Sequence, residues 1–170
     1  LTGGGISFLS PDKGFACDSI LNFEVVLATG EIVNANATSR PDLFKALKGG
    51  QNNFGIVTRF DLKTYPQGKV WGGRTFYAPS ADEDLVQAYT DFKLQEYDPA
   101  AAGWVTIGYN HTSGNFTPTT TLWYAKPENK PGGFKVLTEF APKVLGGMLD
   151  AYPSEFTFNA SKAVAASSRK

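Results

Sequence analysis

KALKGGQNNFGIVTRFD, residues 45–61, is the stretch on which the rest of the chain is organised. Helix-like text carrying Leu47 ends at Gly49-Gly50. An amide knot, Gln51-Asn52-Asn53, follows. Phe54-Gly55-Ile56-Val57 then opens a strand that continues through Phe60 and Leu62. Glycine loses more conformational freedom on folding than any other residue. A glycine pair, and another glycine directly before a β-branched pair, are therefore costly as a mere connector. They imply close approach of the backbone to something, either another strand or a ligand.

Upstream, Ser39-Arg40-Pro41-Asp42 reads as a helix start. Ser39 is the expected N-cap, Pro41 fits the first turn, and Asp42 meets the positive end of the helix dipole. Leu43, Phe44 and Leu47 form its buried stripe, and Gly49 is the stop. Before it, Ile20 to Ala28 reads as a strand with Phe23, Val25 and Leu27 on one face. Thr29-Gly30 turns the chain, and Ile32 to Asn36 returns antiparallel. Pro11-Asp12-Lys13-Gly14 is a turn. Asp18 is either a turn cap or a group orienting the loop.

Downstream, Tyr65-Pro66-Gln67-Gly68 breaks the pattern and sets a boundary between residues 1–68 and 69–170. Val70 to Tyr77 is expected as a strand interrupted by Gly72-Gly73. Ser80 and Glu83 form a capping box for a helix running to about Tyr97, with Leu85, Val86, Tyr89, Phe92 and Leu94 on its apolar side. Trp104 to Tyr109 and Thr119 to Ala125 read as a hairpin, and Phe134 to Leu145 as helix up to Pro142. The tail from Ser161 has no periodic pattern. Strands and helices in this order make an α+β fold.

Composition narrows the function. Sixteen basic residues balance sixteen acidic ones, so there is no general attraction for nucleic acid or an anionic membrane. No stretch approaches the roughly 18 apolar residues of a spanning helix. Cys17 and His111 are each the single residue of their kind, which excludes an internal disulfide and a multi-histidine metal site. Four Asn-x-Ser/Thr sequons, at Asn36, Asn110, Asn115 and Asn159, point to a secreted glycoprotein. The start at Leu1-Thr2-Gly3, without methionine and inside a glycine run, leads us to expect a segment of a longer protein. Gly3-Gly4-Gly5-Ile6-Ser7 suits a turn, a phosphate cradle or a backbone lying on a flat ring. It is neither a P-loop nor a dinucleotide fingerprint, because no Gly-Lys-Ser/Thr and no GxGxxG follows.

Taken together, GGGISFLSPDKGFACDSILNFEVVLATGEIVNAN and PDLFKALKGGQNNFGIVTRFDLKTYP closely resemble the vanillyl-alcohol-oxidase superfamily of FAD-linked oxidoreductases. Within it they resemble the fungal, berberine-bridge-enzyme-like branch. The resemblance is strong from Leu1 to about Gly68 and rests on continuity thereafter. It implies that residues 1–68 are the second subdomain of a PCMH-type FAD-binding domain. Residues 69–170 would begin an antiparallel-sheet substrate domain. Carried over by position, Gly4, Gly5, Ser7 and Val57 are the cofactor-contact candidates, with Ile56 behind them. The first FAD subdomain, with the histidine and cysteine that often bind flavin covalently, would precede Leu1. Cys17 lies on the wrong side of the glycine run to be that cysteine.

The resemblance implies a flavin oxidase acting on an alcohol or sugar-like small molecule with oxygen as acceptor. No catalytic residue can be assigned in this part of the chain. Tyr109 and Tyr124 are the substrate-facing candidates on the hairpin, and Trp104 and Trp123 are possible stacking walls. The chain alone is not expected to retain FAD without a complementary fragment, and exposed apolar surface would favour self-association. The rival reading is a flavin-free segment serving as a non-catalytic binding domain.

Overall fold

The computed structural model describes residues 1–128 and 131–156. The chain divides into two compact units, one of Leu1–Pro66 and one that begins at Gln67. Each has its own antiparallel sheet and its own core.

The first unit contains a single helical turn, α1 (Ser10–Lys13), then β1 (Ile20–Val26), β2 (Ile32–Asn36), α2 (Pro41–Leu47) and β3 (Ile56–Leu62). The strands pair in the order β2-β1-β3. Phe23 lies opposite both Ala35 and Phe60, so three strands contribute to one apolar row. Phe23, Val25, Val33, Ala35 and Leu47 are buried, and Leu43, Phe44, Val57 and Phe60 pack against them. The Phe23 ring meets Phe44 and Phe60 edge-on, at centroid distances of 5.7 and 5.6 Å. Burying such a ring contributes about 1.5–3 kcal/mol, which is why alternation sets the register here.

Ser39 is not the cap of α2. Arg40 is, with φ 50° and ψ 55° and no side-chain cap bond. Asn36 pre-empts Ser39, because its Oδ1 accepts from the Ser39 and Thr38 amides. The Ser39 hydroxyl donates instead to the Asn34 carbonyl. Asp18 Oδ2 accepts from the Phe15 amide at 2.9 Å, so it caps the turn before β1.

The second unit contains β4 (Val70–Tyr77), α3 (Asp82–Lys93), β5 (Ala101–Asn110), β6 (Asn115–Tyr124), the short helix α4 (Lys135–Thr138) and β7 (Lys143–Ala151). Its sheet has the order β5-β6-β4-β7, antiparallel throughout. Phe134 is the hub of the core. Its ring centroid is 5.4 Å from Trp71, 5.2 Å from Phe92 and 6.1 Å from Tyr124.

Several expectations fail in this unit. Gly72-Gly73 does not interrupt β4, which is paired on both sides through these residues. A Cβ at Gly72 would lie 2.5 Å from the Leu122 carbonyl oxygen, and one at Gly73 would collide with that of Gly147. The glycines let three strands close up. Ser80 caps nothing: a 3-10 turn at Pro79–Ala81 precedes α3, and the Asp82 carboxylate takes the Glu83 amide. The helix stops at Lys93, with Leu94 exposed just beyond it, and Val86 on the helix is exposed rather than on its buried side. The expected helix after Phe134 lasts one turn. Residues 143–151 are strand, with Gly146 at φ 89° lying against the Arg74 carbonyl. The hairpin is longer than expected, and its last pair is Asn110 with Asn115.

Candidate functional site

In the first unit the two glycine stretches are tied together. The Thr2 carbonyl accepts from the Gly49 amide at 2.9 Å and the Gln51 amide at 3.0 Å. The Gly4 carbonyl accepts from Cys17, and that of Gly5 from Ala16. The amide knot has a local role as well, since Asn53 donates to the Gly50 carbonyl.

These glycines do different things. A Cβ on Gly55 would lie 2.6 Å from the Val26 oxygen and 2.8 Å from Val25 Cγ1. A Cβ on Gly50 would strike the Ala46 carbonyl and the Phe54 ring. Both permit protein to meet protein. Gly4 has φ 90°, yet a Cβ there, or on Gly3, would meet no heavy atom within 4 Å. The backbone at Gly3-Gly4 is bare without any strand requiring it, which leaves room for a flat ring or a phosphate at main-chain distance.

Ser7 flanks this corner. Its hydroxyl accepts from the Leu9 amide, and its own amide donates to Ser10 Oγ. Ile56 and Val57 lie on β3, and no hydrogen bond joins them to the glycine run among the described residues. Val57 packs against the core, while Ile56 is 72% exposed. Ile56 is therefore the residue whose side chain faces outward, and Val57 has chiefly its backbone to offer.

In the second unit, strand parity sorts the side chains. Facing residues of antiparallel neighbours point to the same side. Tyr124, Leu122, Trp71 and Met148 fall on the side covered by α3 and α4. Tyr124 is a core residue there, 6% exposed. Burial, reinforced by the Asp98 carboxylate at its hydroxyl, pushes its pKa up to about 12. A phenol held that far above neutrality is a poor base. Tyr109 shares this parity, at the exposed end of the hairpin against Phe116.

The opposite face carries Trp104, Thr121 and Arg74 in one cross-strand row. The adjoining row holds Thr106, Thr119, Phe76 and Leu145. Trp123 is on this side too, its ring centroid 4.5 Å from that of Phe156. Sequence reasoning had no means to single out Arg74, because its row joins residues from four strands.

Asn110 and Asn115 are exposed at the hairpin end. Asn36 is half-buried and its amide nitrogen donates to Asn22. Asn159 lies outside the described residues. Among the described residues no cluster of His, Cys, Asp or Glu could hold a metal ion, and no helix is long and apolar enough to cross a membrane.

Two α+β units, each with an antiparallel sheet, match part of the fold of vanillyl-alcohol-oxidase-type flavoproteins. The chain superposes over 94% of its length on 36% of 6-hydroxy-D-nicotine oxidase from Arthrobacter nicotinovorans, with TM-score 0.77 and 25% identity. It covers 33% of xylooligosaccharide oxidase from Myceliophthora thermophila C1, solved with xylobiose, using 91% of its own length, with TM-score 0.69 and 25% identity. In sequence it is 46% identical over 145 residues to the FAD-dependent monooxygenase elcE of Phaeosphaeria nodorum, covering 82% of this chain and 43% of that protein. No family model matches. The chain belongs to the FAD-linked oxidoreductases of the vanillyl-alcohol-oxidase and berberine-bridge-enzyme-like superfamily. It spans less than half the length of the curated relatives it matches.

Proposed function

We propose that this chain is the central part of a secreted FAD-dependent oxidoreductase. The first unit supplies part of the cofactor site and the second begins the substrate domain. The observation that carries this reading is the glycine corner. Gly3 and Gly4 are bare where Gly50 and Gly55 are filled by protein, although Thr2, next to the first pair, is hydrogen-bonded to the amides of Gly49 and Gln51 on either side of Gly50. Main-chain groups of Gly4 and Gly5, the Ser7 region and the β3 backbone at Val57 would hold the cofactor, with Ile56 presenting the apolar surface beside it. FAD, when bound, supplies the hydride-accepting ring that the side chains here lack. An alcohol or sugar-like small molecule is the proposed substrate, with oxygen as acceptor. The sugar-oxidase neighbours support this choice.

The sequons support secretion, and Asn110 and Asn115 are exposed and suited to carry glycans. The glycine corner offers only one wall of a flavin site, so companion sequence is needed to retain FAD. To test this, the chain is produced together with whatever its gene encodes on either side. Flavin absorbance is expected to co-purify. Gly4→Val is expected to lower the flavin content while thermal unfolding still shows a folded protein. A colourless protein that takes up no added FAD, or a Gly4→Val variant with full flavin content, overturns the assignment.

A further inference from the structure

Among the described residues, Arg74 pairs with no carboxylate. Its Nε donates to Thr121 Oγ1 at 3.2 Å. The undescribed residues 129–130 and 157–170 contain no Asp or Glu. On its face of the sheet, away from α3 and α4, strand parity places no acidic residue of β4, β5, β6 or β7. A guanidinium has five donors in a planar fork. Here Thr121, itself 7% exposed, holds Nε and constrains the plane of the fork, while Arg74 itself is exposed.

The surroundings define what such a fork would meet. Trp104, 39% exposed, sits two strands away in the same row. Phe76 and Thr119 form the next row. Opposite Arg74 on β7 is Gly147, which has no side chain to cover it. A planar apolar wall, a hydroxyl floor and one oriented, unneutralised cation are complementary to a flat ring bearing an anionic oxygen group. A neutral polyol would leave the charge unmatched. Arginine forks bind carboxylates through two parallel hydrogen bonds, which adds geometric selectivity to the charge.

We propose that Arg74, braced by Thr121 and flanked by Trp104, is a specificity determinant that receives the carboxylate or ionised hydroxyl of a planar aromatic substrate. The inference rests on the reading of this sheet as part of a substrate domain. Of the two proposed substrate classes, alcohol and sugar-like, it favours aromatic alcohols that carry an anionic oxygen over neutral sugars.

The test needs no flavin, so its failure is separable from that of the cofactor assignment. Tryptophan fluorescence of the 170-residue chain is titrated with benzoate and with benzamide at fixed ionic strength. Benzoate is expected to give a saturable change at least about tenfold tighter than benzamide, as one oriented charge-assisted pair supplies. Arg74→Gln is expected to bring benzoate down to the benzamide level, and Arg74→Lys to retain part of the difference. Circular dichroism of each variant establishes that it is folded. Equal response to the two probes, no response to benzoate, or unchanged benzoate binding in folded Arg74→Gln overturns the proposal.

Discussion

Arg59 lies on the face of its sheet opposite the core, and Arg74 on the face turned away from α3 and α4, yet they are treated oppositely. Arg59 reaches Glu24 at 3.1 Å and Asp61 at 3.1 Å. Around it the first sheet satisfies itself. Asn36 donates to Asn22, and Asn22 donates to both Asn34 and Asp61. Thr58 donates to Glu24 at 2.7 Å. Three strands are laced together by their own polar side chains, and little hydrogen-bonding capacity is left for a ligand. Among the described residues Arg74 has a threonine and no acid as partner. A face that spends its donors internally is structural, whereas one that keeps an oriented donor set unmatched is suited to recognition. The glycines repeat the lesson inside the first unit, with Gly55 filled by β1 and Gly4 left bare.

The sharpest way to break this contrast is at the glycines. Gly55→Val adds a side chain 2.6 Å from the Val26 oxygen, at φ 138°. Backbone strain and lost pairing together should cost roughly 3 kcal/mol or more, read as loss of cooperative unfolding or a large drop in denaturation midpoint. Gly4→Ala pays only for a left-handed φ in open space, about 1–2 kcal/mol. If the two variants are equally destabilised, Gly4 is as structural as Gly55 and the distinction between filled and bare glycines fails.

The polar lacing comes next. Asn22→Ala removes the centre of the network, leaving Asn36, Asn34 and Asp61 each short of a partner. Asn22 is half-buried, so a loss of about 1–3 kcal/mol is expected, measured by urea unfolding with the slope unchanged. A loss within error of zero would mean that water replaces the network without penalty. The first sheet's open face would then be as available to ligands as the second's.

What could be seen beforehand follows from where the information lies. β1, β2 and β4 announce themselves through alternation and tight turns, because Phe23 and Val25 or Trp71 and Tyr77 must all face one core. β7 does not. Val144, Leu145 and Leu149 are exposed and Gly146-Gly147 interrupt the pattern, so a strand there is dictated by pairing with β4 rather than by its own residues. The caps fail for a related reason. Asp82 captures the Glu83 amide that Ser80 was expected to take, and the Ser39 side chain is spent on the Asn34 carbonyl while Asn36 holds the Ser39 amide. Alternation along β5 separates Trp104 from Tyr109, but it cannot say which side the helices will cover. Tyr124 therefore looked available until Phe134 packed against it. The glycine runs were legible as a pattern with two meanings, and only the surrounding atoms divide Gly55 from Gly4.

The smallest expected effect is the most discriminating. Arg74→Gln removes a charge that pairs with no carboxylate and keeps an amide able to reach Thr121. Exposed substitutions away from structural features usually change stability by less than about 0.5 kcal/mol. The thermal midpoint of Arg74→Gln should accordingly match that of the parent chain, while Asn22→Ala falls clearly below it. A recognition residue is one whose removal the fold does not feel. Should Arg74→Gln unfold as early as Asn22→Ala, its bond to Thr121 would be part of what holds β4 to β6. The open face of the second sheet would then be laced like the first, and the unmatched guanidinium would lose its meaning as a site.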